Sequence, residues 1–219
     1  MIALRKAGVF LALAVCSAPA HATERDCAGP DFDSVLTQRF GKIAGAAPVG
    51  FIANGAKNPA CPGAEPVCRD KARAARGDLL ALGPTFGVYV CAEKVKGQGA
   101  GVGWLPAASI DNVQRINDTG SFVGAWRRDT VEIRIVWQPD GHLTGEGLAN
   151  PGAFAGDMDM RDGIAQFYGE GADPENPEAL GCRIRMARAA EVMVVRDNGQ
   201  CSGDFGGTYT RAPTVSDRK

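Results

Sequence analysis

From Val131 to Trp137 the chain alternates strictly, with Val131, Ile133, Ile135 and Trp137 on one face and Glu132 and Arg134 on the other. A period of two marks a half-buried antiparallel strand. Asp140-Gly141 supplies a hairpin turn, so the chain is expected to return from His142 to about Leu148. Ile164 to Tyr168 and Cys182 to Met186 read as further strands, Glu191 to Arg196 answers the latter, and Asp197-Asn198-Gly199 turns towards a last strand ending at Tyr209. The stretch from Pro151 to Gly181 reads as rich in loops, with Pro174 and Pro177 in a polar segment. No helical pattern of useful length interrupts this half, which is expected to be an all-β meander closed into a small barrel or sandwich.

The first half is less regular. Phe32, Val35, Leu36 and Phe40 stand at helical spacing, with Asp31 or Asp33 placed to cap, and predict a short amphipathic helix. Ala44 to Pro66 is rich in Gly, Ala, Pro and Asn and reads as irregular, with one strand near Val49 to Ala53. Asp78 to Leu82 and Val88 to Ala92 are short β-type runs separated by Gly83-Pro84 and Gly87. A glycine-rich bend from Gly97 to Gly103 leads into Gly103-Trp104-Leu105-Pro106, and Asn117-Asp118-Thr119-Gly120 reads as a linker. The expected organisation is a leader over 1–22, an N-terminal segment over 23–44, a domain over 45–117, a second over 120–212 and a tail over 213–219.

Arg5 and Lys6 precede an apolar run from Ala7 to Val15, and Ala20-His21-Ala22 offers small residues for a signal peptidase. That is the pattern of a cleavable export signal, with the mature chain starting at Thr23. Leu13-Ala14-Val15-Cys16 is a rival lipoprotein box, but Val15 is wrong for the position before the cysteine. No later run reaches the roughly 20 apolar residues of a spanning helix. The expected location is periplasmic or secreted.

Cys27, Cys61, Cys68, Cys91, Cys182 and Cys201 remain after the leader. An even count in an exported chain predicts disulfides. Cys182 and Cys201 flank one predicted hairpin and are expected to pair; among the first four, Cys68 with Cys91 and Cys27 with Cys61 is the favoured arrangement of three. With 24 basic and 25 acidic residues, two of the basic ones in the leader, the mature chain is mildly acidic and is not expected to bind nucleic acid.

Arg76-Gly77-Asp78-Leu79-Leu80-Ala81-Leu82, Tyr89-Val90-Cys91-Ala92 and Gly103-Trp104-Leu105-Pro106 resemble bacterial SH3-like (SH3b) domains of exported proteins. The resemblance implies a five-stranded barrel that contacts peptidoglycan or a partner protein; without an aromatic cluster ahead of the first strand it does not imply proline-motif recognition. Gly124-Ala125-Trp126, Asp197-Asn198-Gly199-Gln200-Cys201 and Phe205-Gly206-Gly207-Thr208-Tyr209 resemble small lipocalin-like and lysozyme-inhibitor-like β domains. Together these imply a mainly β chain, an SH3-like barrel followed by a small antiparallel β domain.

Candidate chemistry is sparse. His142 is the only histidine after the leader, and a hairpin tip positions a catalytic base poorly. Glu146, Glu170 and Glu191 are candidate carboxylates for a wall hydrolase, which needs two of them about 5 to 10 Å apart. Asp157, Asp159 and Asp162 form a D-x-D-x-x-D run that lacks the glycine and glutamate of a calcium loop, and reads as solvated. Trp126 and Trp137 are expected in the core. Trp104 is either a groove aromatic or a barrel plug; with Tyr89 and the basic residues Arg69, Lys71, Arg73 and Arg76 it forms the candidate binding set. The functional expectation is a non-catalytic envelope protein, without cofactor, that binds a macromolecular partner, cell-wall glycan (peptidoglycan) or an envelope protein such as a cell-wall-directed enzyme, with inhibition of that enzyme as one form of the role. The rival is a carboxylate-dependent cell-wall hydrolase.

Overall fold

A computed structural model describes residues 25–55, 58–95, 101–176 and 178–213. The leader with Cys16, Pro177, most of the Gly97 to Gly103 bend and all of the tail beyond Pro213 lie outside the described residues.

The chain is mainly β. Its second half is a closed eight-stranded antiparallel barrel in which each strand pairs with the next. The strands are β8 (Gly124–Arg128), β9 (Val131–Trp137), β10 (Leu143–Leu148), β11 (Ala153–Arg161), β12 (Ile164–Tyr168), β13 (Arg183–Ala189), β14 (Val192–Asp197) and β15 (Gly207–Arg211). β15 closes the ring on β8 through Thr210 opposite Arg127 and Arg211 opposite Trp126. The alternation of β9 sends Val131, Ile133 and Ile135 inward as expected. Trp126 is fully buried, whereas Trp137 is 49 % exposed. This corrects its core assignment: as the last residue of β9 it stands at the rim, where half the ring overhangs the barrel's end.

Phe154, Phe167, Met158, Met186, Met193, Phe205 and Tyr209 join the inner residues of β8 and β9 in one buried cluster, so the interior is filled with side chains. Phe154 fits because β10 is bare opposite it. A Cβ on Gly147 would lie 2.1 Å from the Phe154 ring. One end is capped by the 3₁₀ turn Thr119–Phe122, with Phe122 buried. There Arg188 and Arg211 each stack 4.9 Å from the Trp126 ring centre and both donate to the carbonyl of Ser121. Burial, reinforced by the charge of Arg211, lowers the Arg188 pKa. At the other end Phe205 is fully buried, and the Asp197 carboxylate accepts the backbone N–H of Phe205 at 3.0 Å and of Gly206 at 2.9 Å.

The first half is a seven-stranded antiparallel sheet in the order β3-β2-β6-β5-β4-β1-β7. These are β1 (Arg39–Ile43), β2 (Val49–Ile52), β3 (Arg69–Ala74), β4 (Leu79–Phe86), β5 (Tyr89–Lys94), β6 (Val102–Pro106) and β7 (Ile110–Val113). The helix expected over Phe32 to Phe40 is instead a single 3₁₀ turn, Ser34–Thr37, followed by β1. Val35 and Phe40 are buried all the same, one from the turn and the other from the strand.

The halves share a core. Leu79 and Ala81 of β4, with Val35, Phe40 and Val95, pack against Ile164, Ala187, Ala189, Val192 and Val194 of the barrel. Meanwhile Leu80 and Leu82 face a second cluster within the sheet, with Phe51, Val90, Ala92 and Leu105. β4 and β14 are therefore covered on both faces, which is why each opens on an unbroken apolar run. Polar ties flank the seam: Arg185 donates to Asp33 at 2.8 Å, Arg196 pairs with Glu93, and Arg115 donates to the carbonyl of Asp162 at 2.7 Å.

Three disulfides form: Cys27–Cys91, Cys61–Cys68 and Cys182–Cys201. The last is the expected pair, while Cys68–Cys91 and Cys27–Cys61 are overturned. β3, which Cys68 immediately precedes, and β5, which carries Cys91, are three strand spacings apart in the sheet. At about 4.8 Å each that is twice the reach of a disulfide. Cys91 points to the side opposite Val90 and Ala92, where the segment around Cys27 crosses.

Candidate functional site

Arg69, Lys71 and Arg73 alternate with half-buried Asp70 and Ala72 along β3, so the three cations share one exposed face. β3 is the edge of the sheet. The register against β2 slips between Gly50 and Ile52, which face Arg73 and Arg69. The Asp70 carboxylate accepts the N–H of Ala72 at 3.0 Å. Charged side chains, a bulge and a side chain folded back onto the backbone are the devices that keep an edge from pairing with another strand. What this edge presents is its charge.

A groove of about 300 Å³ runs beside it, between β2 and the loop closed by Cys61–Cys68. Arg69, Asp70 and Arg73 line it together with Gly50, Gly63 and Ala64. The bridge spans seven positions and holds that loop against the strand. The sequence analysis placed the cations but missed the groove; the close spacing of Cys61 and Cys68 was the available signal.

The other candidates are dispersed. Trp104 is fully buried, its Nε1–H donating to the carbonyl of Arg25 at 3.0 Å, and it packs on Cys27 and Cys91. Of its two readings, burial agrees with the plug. Tyr89 is half-buried against the same cluster and does not line the groove. Arg76 lies past the end of β3 and lines a separate crevice at the seam, opposite Ala190 and Glu191.

On the barrel, Glu146 sits mid-strand on β10, opposite Arg134, with its carboxylate 3.6 Å from that guanidinium. Glu170 follows β12 and Glu191 lies between β13 and β14. Tyr168 pairs with Arg183 and Ala189 with Val192, so these two glutamates stand at opposite ends of the barrel. No two of the three come together. Asp157 and Asp159 are on the outer face of β11, which corrects their placement in a loop; only Asp162 is in a turn. His142 is at the β9–β10 turn between Asp140 and Asp157, its Nε2 3.2 Å from Asp157. Among the described residues no group of three His, Cys, Asp or Glu side chains is placed to hold a metal ion. Nor, among them, is any helix long and apolar enough to cross a membrane.

Two ionisable groups of the barrel are displaced from their ordinary values. Glu132 is lowered, chiefly by its hydrogen bond from Arg127 at 2.8 Å. Burial raises Tyr209 to about 12, partly offset by Arg128. Its hydroxyl donates to the carbonyl of Phe205 at 2.9 Å and belongs to the plug, not to a reactive centre. No protein-family model, curated protein or solved structure matches the chain.

Proposed function

We propose that this is a non-catalytic protein of the cell envelope, periplasmic or secreted, that binds a macromolecular partner. Three disulfides with no membrane-crossing helix among the described residues are compatible with an oxidising compartment outside the cytoplasm. A barrel filled with side chains and capped at both ends argues against a carrier of small molecules. The observation that carries the reading is the alignment of Arg69, Lys71 and Arg73 on one open face of β3, beside a groove that a disulfide holds in shape. Such a face attracts an extended anionic chain, and cell-wall glycan with its acidic substituents is the partner class in view.

The test is co-sedimentation of the mature protein with insoluble wall sacculi. Wild-type protein is expected in the pellet at low salt and released as salt rises, since exposed charges are screened. Arg69→Glu, Lys71→Glu and Arg73→Glu together are expected to abolish pelleting with an unchanged melting temperature. Undiminished pelleting of the triple variant would overturn the assignment.

A further inference from the structure

The opposite edge of the sheet carries a different surface. Between the Leu36–Phe40 corner and β7 lies a crevice of about 540 Å³, within the range of ligand sites and roomy enough for one or two sugar rings. We infer that this crevice binds a carboxylate-bearing pyranose. The inference does not rest on the basic face of β3.

Its lining is specific in kind. Four side-chain amides border it, Gln38, Asn112, Gln114 and Asn117, and an amide offers both donors and an acceptor, the combination that adjacent ring hydroxyls require. Asn112 and Gln114 are exposed, two residues apart, and neither side chain has a hydrogen-bond partner among the described residues. Arg39 and Arg115 also line the crevice and no carboxylate does, though the Arg39 guanidinium donates to the carbonyl of Gly83 at 2.7 Å. Arg115 is fixed in place by donating to the carbonyls of Leu36 at 3.1 Å and Asp162 at 2.7 Å and to Asn117 at 3.2 Å. Its charge faces the crevice without an acid among the lining residues. Leu36, 41 % exposed, offers an apolar patch for the C–H face of a ring.

A second, independent observation comes from Gln38. It is 4 % exposed, and its amide nitrogen donates to the carbonyls of Leu82 at 3.2 Å and Arg39, yet its Oε1 is buried with no donor. A buried acceptor left unpaired is costly. Gln38 lines the crevice, and a small turn of its side chain on binding would bring a ligand hydroxyl or amide donor to this oxygen. A peptide laid along β7 would use backbone groups instead, but β7 is only four residues long and the polar groups gathered here are side chains.

The experiment is a ¹⁵N NMR titration of the mature protein with glucuronic acid, N-acetylmuramic acid and glucose. The first two are separate sources of a carboxylated pyranose, and glucose lacks the carboxylate. At least one acid is expected to give saturable shifts at Thr37, Gln38, Asn112 and Gln114, at least fivefold tighter than glucose, and the tighter acid identifies the source. Asn112→Ala with Gln114→Ala should remove those shifts while leaving the melting temperature unchanged, because both side chains are exposed. The β3 triple variant should titrate as wild type, which separates this site from the proposed glycan face. Absence of saturable shifts with both acids, a response to glucose equal to that of the acids, or shifts that survive the double alanine variant would overturn the inference. So would an acidic tetrapeptide that perturbs the same residues more tightly than either acid.

Discussion

The two halves solve the same problem, covering an antiparallel sheet, in opposite ways. The barrel pairs every strand with two neighbours and fills its interior with Phe154, Phe167, Phe205 and Tyr209, so it has no edge and its hollows lie only on the outer face, as between Arg134 and Glu146. The first sheet ends in β3 on one side and β7 on the other, and both proposed contact surfaces lie at those ends. The barrel's outward charges mostly neutralise each other, as in the chain of ion pairs from Arg127 through Glu132 and Arg134 to Glu146. The three cations of β3 have one acid among them, Asp70, whose carboxylate accepts the backbone N–H of Ala72. Closure gives the barrel the part of a support; the open sheet keeps groups in reserve for a partner.

If the barrel is the support, damage to it should reach the sheet. Trp126→Ala removes a fully buried ring on which two guanidiniums stack, and is expected to cost about 3–5 kcal/mol. Because Leu79 and Ala81 pack on Ala187 and Val194, calorimetry should show both halves melting in one lowered transition. Two resolved transitions would break the picture of a shared core.

The disulfides sharpen the contrast by loop length. Cys27–Cys91 closes a span of 64 positions and Cys182–Cys201 a span of 19. In the chain-entropy model, paired Cys→Ser changes cost about 4 kcal/mol for the first and about 3 kcal/mol for the second. Urea unfolding of the two double variants ranks them, and the reverse order would mean that barrel packing depends on its bridge more than the sheet does on its own.

A further effect should belong to the barrel alone. Tyr209 is raised to about 12 in the folded state, so between pH 10 and 12 the unfolded chain releases its proton while the folded one keeps it. Stability is therefore full below about pH 10 and falls as pH rises through 12, by about 3 kcal/mol in all. Tyr209→Phe should flatten that part of the stability curve. An unchanged slope would show that the hydroxyl is not held in the plug.

Where the apolar pattern was plain the sequence could be read directly, as in the alternation of β9 and the start of β13 and in the apolar run of β14. β11 was missed although Phe154, Met158 and Met160 sit at inward positions. The position that breaks the rhythm is Gly156, with φ +154°, where a Cβ would lie 3.2 Å from the Phe167 ring. There a packing neighbour supplies the bulk that the strand's own sequence lacks. β3 was missed for a related reason: its inward residues are Ala72 and Ala74, too small to mark an apolar face. The cations of β3 were visible as a charge run, but the groove beside them depends on Cys61 pairing with Cys68, and connectivity among four cysteines is a three-dimensional fact. The crevice at β7 joins residues some 75 positions apart, such as Gln38 and Gln114, and nothing local announces it.

The most direct test of a support carrying a contact surface is to reverse equal charge on each half and compare binding to wall sacculi. Arg69→Glu, Lys71→Glu and Arg73→Glu alter the sheet edge; Arg127→Glu, Arg134→Glu and Arg161→Glu alter the barrel by the same amount at exposed positions. Exposed charges contribute little to stability, so both variants should remain folded. The account predicts that the edge variant loses salt-sensitive binding while the barrel variant binds as wild type. Equal losses in the two, or a loss confined to the barrel variant, would contradict it.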